Sequence, residues 1–437
     1  FAEKNVSFVE FYISFISFFY LSTSKNTITM NNIKFGIFAL FFGIILSACK
    51  NNSSSTDSAT FEKELQEKLI NAKDGDVIDL PEGTFTLTRS LILDGVNNVT
   101  IKGKGKDKTI LNFKGQKDGA EGLRITANGT VLEDFAILNA KGDNIKVQDA
   151  QGITFRRIKS GWETEGSTLN GSYGVYPVGS TNVLIEDCEV FGSSDAGVYV
   201  GQSKNIIVRR NHVHGNVAGI EIENSMDADV YENTSEKNTG GILVFDLPGL
   251  SIKNGARCRV FNNKIIDNNI RNFGAKGTTV AEIPAGTGVI LMATNQCEVF
   301  GNDIKGNNSI TLAVVSYEAI QKPWKDSVYD PFIGGVSVHD NHVERGNGSL
   351  DVSVTFGQFF AAIFGDKVPD FVYDGSVNPA YRNNDGSIKE EQKICFRNNG
   401  SVTFANLDLA NKSKNISSDI SKMDCSLTAL KEVKVVQ

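Results

Sequence analysis

Between residues 174 and 225 the pattern of apolar and polar positions repeats. Residues 174–196 (GVYPVGSTNVLIEDCEVFGSSDA) and 197–218 (GVYVGQSKNIIVRRNHVHGNVA) can be laid on each other, and a third unit opens as GIEIENS at Gly219. Each unit holds three short runs of alternating apolar and polar residues, parted by Gly, Ser, Asn and Asp, which is the pattern of three strands and three turns. A period of about 22 residues with three strands predicts one coil of a parallel β-solenoid, and such coils must stack because none buries its apolar residues alone. Alternation along a strand sorts the positions by direction. Val175, Val198, Ile220 and Ile242 form one inward column, and Val200, Ile222 and Val244 form another. A further column, Val208, Val230, Val260, Val299 and Val338, is followed three residues later by Asn211, Asn233, Asn263, Asn302 and Asn341. Asparagines stacked at a tight turn can pass amide hydrogen bonds from coil to coil, so these residues read as architecture, not chemistry.

The flanks and interruptions complete the plan. Residues 60–72 (TFEKELQEKLINA) have helical periodicity, with Phe61, Leu65, Leu69 and Ile70 on one side, and predict a helix that caps the open end of the solenoid. Strands begin at GDVIDLPEGTFTL, and Phe135, Ile158 and Cys188 hold the positions where asparagine later stands. Insertions at 159–173, 246–256, 269–287 and 316–335 predict loops on one flank, where solenoids often bind ligands. The repeat becomes illegible after residue 357. The expected division is therefore a β-helix over 59–357 and a covering segment over 358–437. Ahead of these, Met30 opens an export signal over 30–48 that ends in Leu46-Ser47-Ala48-Cys49, a lipobox. Residues 1–29 are expected to be an upstream extension, Cys49 the lipidated N-terminus and 49–58 a polar tether.

The asparagine ladder, the coil length and the opening GDVIDLPEGTFTLTRSLIL resemble right-handed parallel β-helix proteins of the pectin-lyase-like superfamily. With the lipobox and the tail CFRNNGSVTFANLDL, the chain is similar to a bacterial β-helix lipoprotein family of unclear activity, over roughly residues 60–437. The resemblance implies an all-β fold: a right-handed parallel β-helix of about ten coils, with an N-terminal capping helix and a C-terminal covering segment. It does not choose an activity, because that superfamily holds lyases, hydrolases, epimerases and non-enzymes.

Composition narrows the partners. With 44 basic and 51 acidic residues the net charge is −7, which disfavours nucleic acid, since phosphate contacts need a basic face. An export signal and a lipobox imply a protein anchored to a bacterial envelope membrane through lipid, periplasmic or at the cell surface. That compartment permits a disulfide between Cys395 and Cys425 in the tail. Cys188 is expected as a small buried residue, and Cys258 and Cys297 share the motif Cys-x-Val-Phe-x-Asn and hence a column.

No zinc motif, phosphate loop or nucleophile elbow is present, and His212, His214, His339 and His342 read as solvated surface residues. Candidate chemistry lies on the outer side of the strand after each glycine. One outward column reads Tyr176, Tyr199, Glu221, Leu243 and Ile290; the next reads Val178, Gly201, Glu223, Phe245 and Met292, with Asp195 and Asp246 at the strand ends. Glu221 and Glu223 should stand about 6.5–7 Å apart along one strand. Carboxylates here could move protons or bind a cation such as calcium, and Tyr176, Tyr199 and Trp162 could stack on sugar rings. Lyase or epimerase chemistry on a uronic acid needs a base and a cation, for which Glu221, Glu223 and Arg271 (with Lys276 nearby) are the candidates; hydrolysis needs only two suitably spaced carboxyl groups. The expectation is a protein that binds or processes an extracellular polysaccharide, as a lyase or epimerase. The alternatives are a non-enzymatic scaffold for glycan or an envelope protein partner, and a plain solvated sheet face.

Overall fold

The computed structural model describes residues 57–320 and 322–436. The signal segment, Cys49 and most of the tether lie outside the described residues. Within them, successive strands join three parallel sheets in turn, and the sheets hold 11, 10 and 11 strands. The first sheet runs from Val77–Asp79 to Ile394–Arg397, the second from Gly83–Thr86 to His342–Glu344 and the third from Arg89–Leu93 to Phe404–Asn406. The columns read from sequence are the observed registers: Val175 pairs Val198, Val198 pairs Ile220, and Ile220 pairs Ile242. These side chains are fully buried in one continuous core along the stack. β-Branched residues suit such strands, because their restricted side chains pack well on a pleated surface.

The turn between the first and second sheets shows why asparagine repeats there. Each turn places one residue in the left-handed region, among them Arg210 (φ 53°), Glu232 (φ 56°) and Asp340 (φ 54°), a conformation that costs a residue with a side chain roughly 1–2 kcal/mol. The next residue compensates. The Asn211 main-chain N–H donates to Asn233 Oδ1 at 3.0 Å, and Asn211 Nδ2 donates to the same oxygen at 2.9 Å and to the Ile185 carbonyl at 3.0 Å. The chain of amides runs through Asn233, Asn263, Asn302 and Asn341 to Asn399. A second ladder, not read from the sequence, links Asn216, Asn238, Asn268 and Asn307 at the other end of the second sheet. Each of these follows a first-ladder asparagine by five residues, and that constant interval was the available signal.

Helix α1 (Ser58–Ile70) closes the N-terminal end. Phe61, Leu65 and Leu69 are buried, and Phe61 stacks on Phe85 with centroids 3.7 Å apart. Ile70, expected on the same side, is 70% exposed, since it sits about 100° around the helix from Leu69. Glu62 accepts from the main-chain N–H groups of Thr88 and Arg89, both at 2.9 Å, satisfying donors that the first coil leaves unpaired.

The far end differs from the expected boundary at 357. Strands Phe371–Tyr373, Ile394–Arg397 and Phe404–Asn406 continue the third and first sheets, so coils persist where the repeat is illegible. Irregular insertions such as 374–393 destroy the period without ending the stack. Covering is done by helix α2 (Thr355–Phe364) and the insertions, which lay a second core on the outer side of the third sheet with Phe273, Tyr317, Tyr329, Phe356 and Phe360. The last residues cross the first sheet: Cys425 is disulfide-bonded to Cys395, and the main-chain N–H groups of Leu430 and Val433 donate to Glu298 and Asp229. Cys258 and Cys297 are register partners, and with Cys188 they are buried free thiols.

Candidate active site

The site lies where the cover on the third sheet ends. One outward column runs by register through Arg124, Lys146, Tyr176, Tyr199, Glu221, Leu243 and Ile290. Arg124 is exposed and Lys146 and Tyr176 are partly so, whereas Tyr199 is 5% and Glu221 2% exposed. The sheet face is therefore neither open nor flat. It passes from a free half to a covered half, and the carboxyl groups stand at the step.

The structure brings together Tyr176, Tyr199, Asp195, Glu221, Glu223 and Asp246, and adds two residues that the sequence reading missed, Tyr173 and Asp143. Tyr173 immediately precedes the glycine that opens a unit, but it ends an insertion whose length hides its column. The rings of Tyr173, Tyr176 and Tyr199 pack mutually, with centroids 4.5–4.9 Å apart, and Lys146 Nζ lies 5.1 Å from the Tyr176 centroid. The Tyr173 hydroxyl donates to Asp195 Oδ2 at 3.4 Å, and the Tyr199 hydroxyl donates to Glu223 Oε2. Asp246 accepts from the Gly255 N–H, and its carbonyl accepts from the Tyr329 hydroxyl at 2.8 Å. Glu221 Oε1 is buried with no hydrogen-bond partner.

Carboxyl groups taken from water without a cation are held in the neutral form. Burial, then the charges of Asp195 and Glu223, pushes Glu221 well above the usual carboxylate range. Burial also raises Glu223, against the Tyr199 hydrogen bond. Asp195 is pushed up to about 7 by burial and the Glu223 charge, and Asp246 to about 7 by burial, opposed by the Gly255 N–H. Asp143 rises to about 6 through burial, opposed by the Lys146 charge. Burial followed by the charge of Asp143 lifts Tyr176 to about 12, so its phenol stays protonated. The cluster is thus a reservoir of neutral acids near neutral pH, the environment that suits a proton donor.

Three expected site residues stand elsewhere. Trp162 is 4% exposed, and its indole N–H donates to the Ala140 carbonyl at 2.7 Å, so it supports the 163–173 insertion and offers no face to a sugar. Arg271 is exposed and its charge acts on Asp351, not on the cluster; Lys276 is exposed on the same insertion. Among the described residues no group of three or more His, Cys, Asp or Glu side chains forms a metal-holding set. The expectation of a solvated face also gives way, because the insertions bury the outward columns from Tyr199 onward.

The family model described as a right-handed beta helix region matches residues 94–255. The chain is a right-handed parallel β-helix. Similar solved structures include the A-module of an Azotobacter vinelandii mannuronan C-5 epimerase, 11% identical with a TM-score of 0.48, over 79% of this chain and 91% of that one. An alginate lyase from Paenibacillus is 14% identical with a TM-score of 0.43, over 66% and 94% of the two chains. A DFA-IIIase from Arthrobacter chlorophenolicus is 11% identical with a TM-score of 0.45, over 79% and 95%. At these identities none of them assigns chemistry to a residue of this chain. No curated protein sequence matches it.

Proposed function

We propose that the chain is exported, anchored through lipid on Cys49, and cleaves an extracellular polysaccharide by proton transfer at the step on the third sheet. One observation carries the reading: Asp195, Glu221 and Glu223, buried carboxyl groups with no lysine or arginine bonded to them, stand beside three packed tyrosines, and Tyr176 and Asp195 are the partly exposed members. Tyr176 offers a protonated hydroxyl to a sugar, and Asp195 is less buried than Glu221 and Glu223. Glu221 and Glu223 lie behind them, and burial together with any charge on Glu223 keeps the proton on Asp195. This favours hydrolysis, which needs only two suitably spaced carboxyl groups, over the lyase or epimerase reaction expected from sequence, whose expected cation Arg271 stands elsewhere. The lyase or epimerase reading retains one support, Lys146 over the Tyr176 ring.

The test is to offer the chain a panel of neutral and acidic polysaccharides and to follow reducing ends, unsaturated products and epimerised residues separately. New reducing ends that Asp195→Asn abolishes support the proposal. Unsaturated or epimerised products transfer the site to the second reading, and binding without turnover leaves a glycan-holding module.

A further inference from the structure

Two largely buried aspartates flank Tyr173 at the start of the third-sheet strands. Asp143 precedes Asn144, whose main-chain N–H donates to the Tyr173 carbonyl at 2.9 Å, so Asp143 and Tyr173 are level in neighbouring coils. Asp195 lies one coil further on, and its main-chain N–H donates to the Ser172 carbonyl at 3.2 Å. Tyr173 engages both: its hydroxyl reaches Asp195 Oδ2 at 3.4 Å, and its backbone amide acts on the Asp143 carboxyl. Tyr176, the partly exposed ring between them, feels both carboxyl charges. Resting on the hydrolytic reading above, we propose that Asp143 and Asp195 are the two catalytic carboxyl groups, working as base and acid in a single displacement that inverts the sugar anomer.

The spacing argues for this division of labour. With coils about 4.8 Å apart, two coils plus a one-residue offset separate the aspartate backbones by about 10 Å, with Tyr173 in the coil between, which suits two carboxyl groups that stand apart and not a touching pair. Inverting glycosidases place their carboxyl groups ~6.5–9.5 Å apart, whereas retaining enzymes need ~5–5.5 Å for direct attack. Lys146 lies three residues beyond Asp143 and draws it toward the ionised form, while the Glu223 charge holds the proton on Asp195. The step balances. Asp195 gives its proton to the glycosidic oxygen as the bond from that oxygen to the anomeric carbon breaks. Asp143 takes a proton from the water that forms the new bond from the opposite side. Tyr173 holds the two groups apart, and Lys146 is a positioning residue.

The experiment compares the full chain with Asp143→Asn and Asp195→Asn on the polysaccharide that the wild type turns over, after thermal melts establish that both variants are folded. Expected are losses of about a thousandfold in kcat with KM nearly unchanged, within the range of acid–base catalysis. Proton NMR of the first product should show the inverted anomer, and azide should restore turnover to Asp143→Asn alone. Lys146→Gln should shift the acidic limb of the pH profile upward while the basic limb stays in place. Hydrolysis with retained configuration overturns the inference and leaves the function standing. So does an Asp143→Asn variant that keeps more than about a tenth of wild-type kcat, given that losing an acid or base costs ~10²–10⁴-fold. No turnover of any polysaccharide by the folded wild type overturns both.

Discussion

Adjacent coils carry two groups of carboxylates whose environments are opposite. On the first sheet, one outward column reads Lys102, Glu133, Arg156, Glu186 and Arg209, so charge alternates from coil to coil. Glu186 accepts from Arg156 at 2.7 Å and from Arg209 and Arg210 at 2.6 and 2.9 Å. Burial would raise it, but the hydrogen bonds from Arg156 and Arg209 hold it down at about 2. On the third sheet, Glu221 has Tyr199 on one side and Leu243 on the other, and Glu223 has Gly201 and Phe245. Burial is severe in both places. The sign of the neighbour decides the outcome: an ion-pair ladder stabilises one face, and stored acid occupies the other. Glu186 is paired with arginines, whereas Glu221 and Glu223 have no cationic neighbour in their columns and stand at the site.

The largest effect that would break this contrast is on the paired side. Glu186→Ala leaves three arginines facing one another and should cost about 1–3 kcal/mol at pH 7 by urea unfolding, a figure reduced because the arginines are about a third exposed. Since the folded Glu186 titrates below its unfolded value, its contribution is present at pH 7 and is lost as pH falls from about 4.5 to about 2. The cost of the variant should shrink over the same window.

The unpaired side should respond with the opposite sign. Asp195 and Asp246 titrate near 7 when folded, so the folded state holds extra protons between about 4 and 7, and stability falls as pH rises through that window. Glu221→Gln keeps the shape but removes the charge. It should raise stability by about 1 kcal/mol at pH 8 and leave it nearly unchanged at pH 5, because only the ionised form suffers from burial. A variant less stable than wild type at pH 8 would mean that Glu221 has a cation partner in solution.

Salt is the mildest probe. Raising ionic strength from 0.05 to 0.5 M at pH 7, a choice spanning roughly threefold in screening length, should weaken the exposed part of the Glu186 ladder by a few tenths of a kcal/mol. The difference between Glu221→Gln and wild type should stay nearly constant, because buried charges are little screened.

Much of the fold was legible because a solenoid repeats one local problem. Each coil needs an inward β-branched column and a residue that satisfies a left-handed turn, and Val208-x-x-Asn211 restates that need down to Val338-x-x-Asn341. The second ladder obeyed the same logic five residues later, and the two tyrosines and two glutamates of the site fell in adjacent columns as read. Trp162 and Arg271 were misplaced because both sit on or beside insertions, where no period fixes direction.

By itself, then, the sequence determined the coil, its register, the stacked amides and the placing of Tyr176, Tyr199, Glu221 and Glu223 on one outer face, since side-chain direction in a strand follows from alternation alone. Only the tertiary structure decided that this outer face is half covered. Burial comes from Phe273, Tyr329 and Phe360, contributed by segments far along the chain that obey no period. The removal of water, not the residue types, turns ordinary surface carboxylates into acids poised near neutral pH.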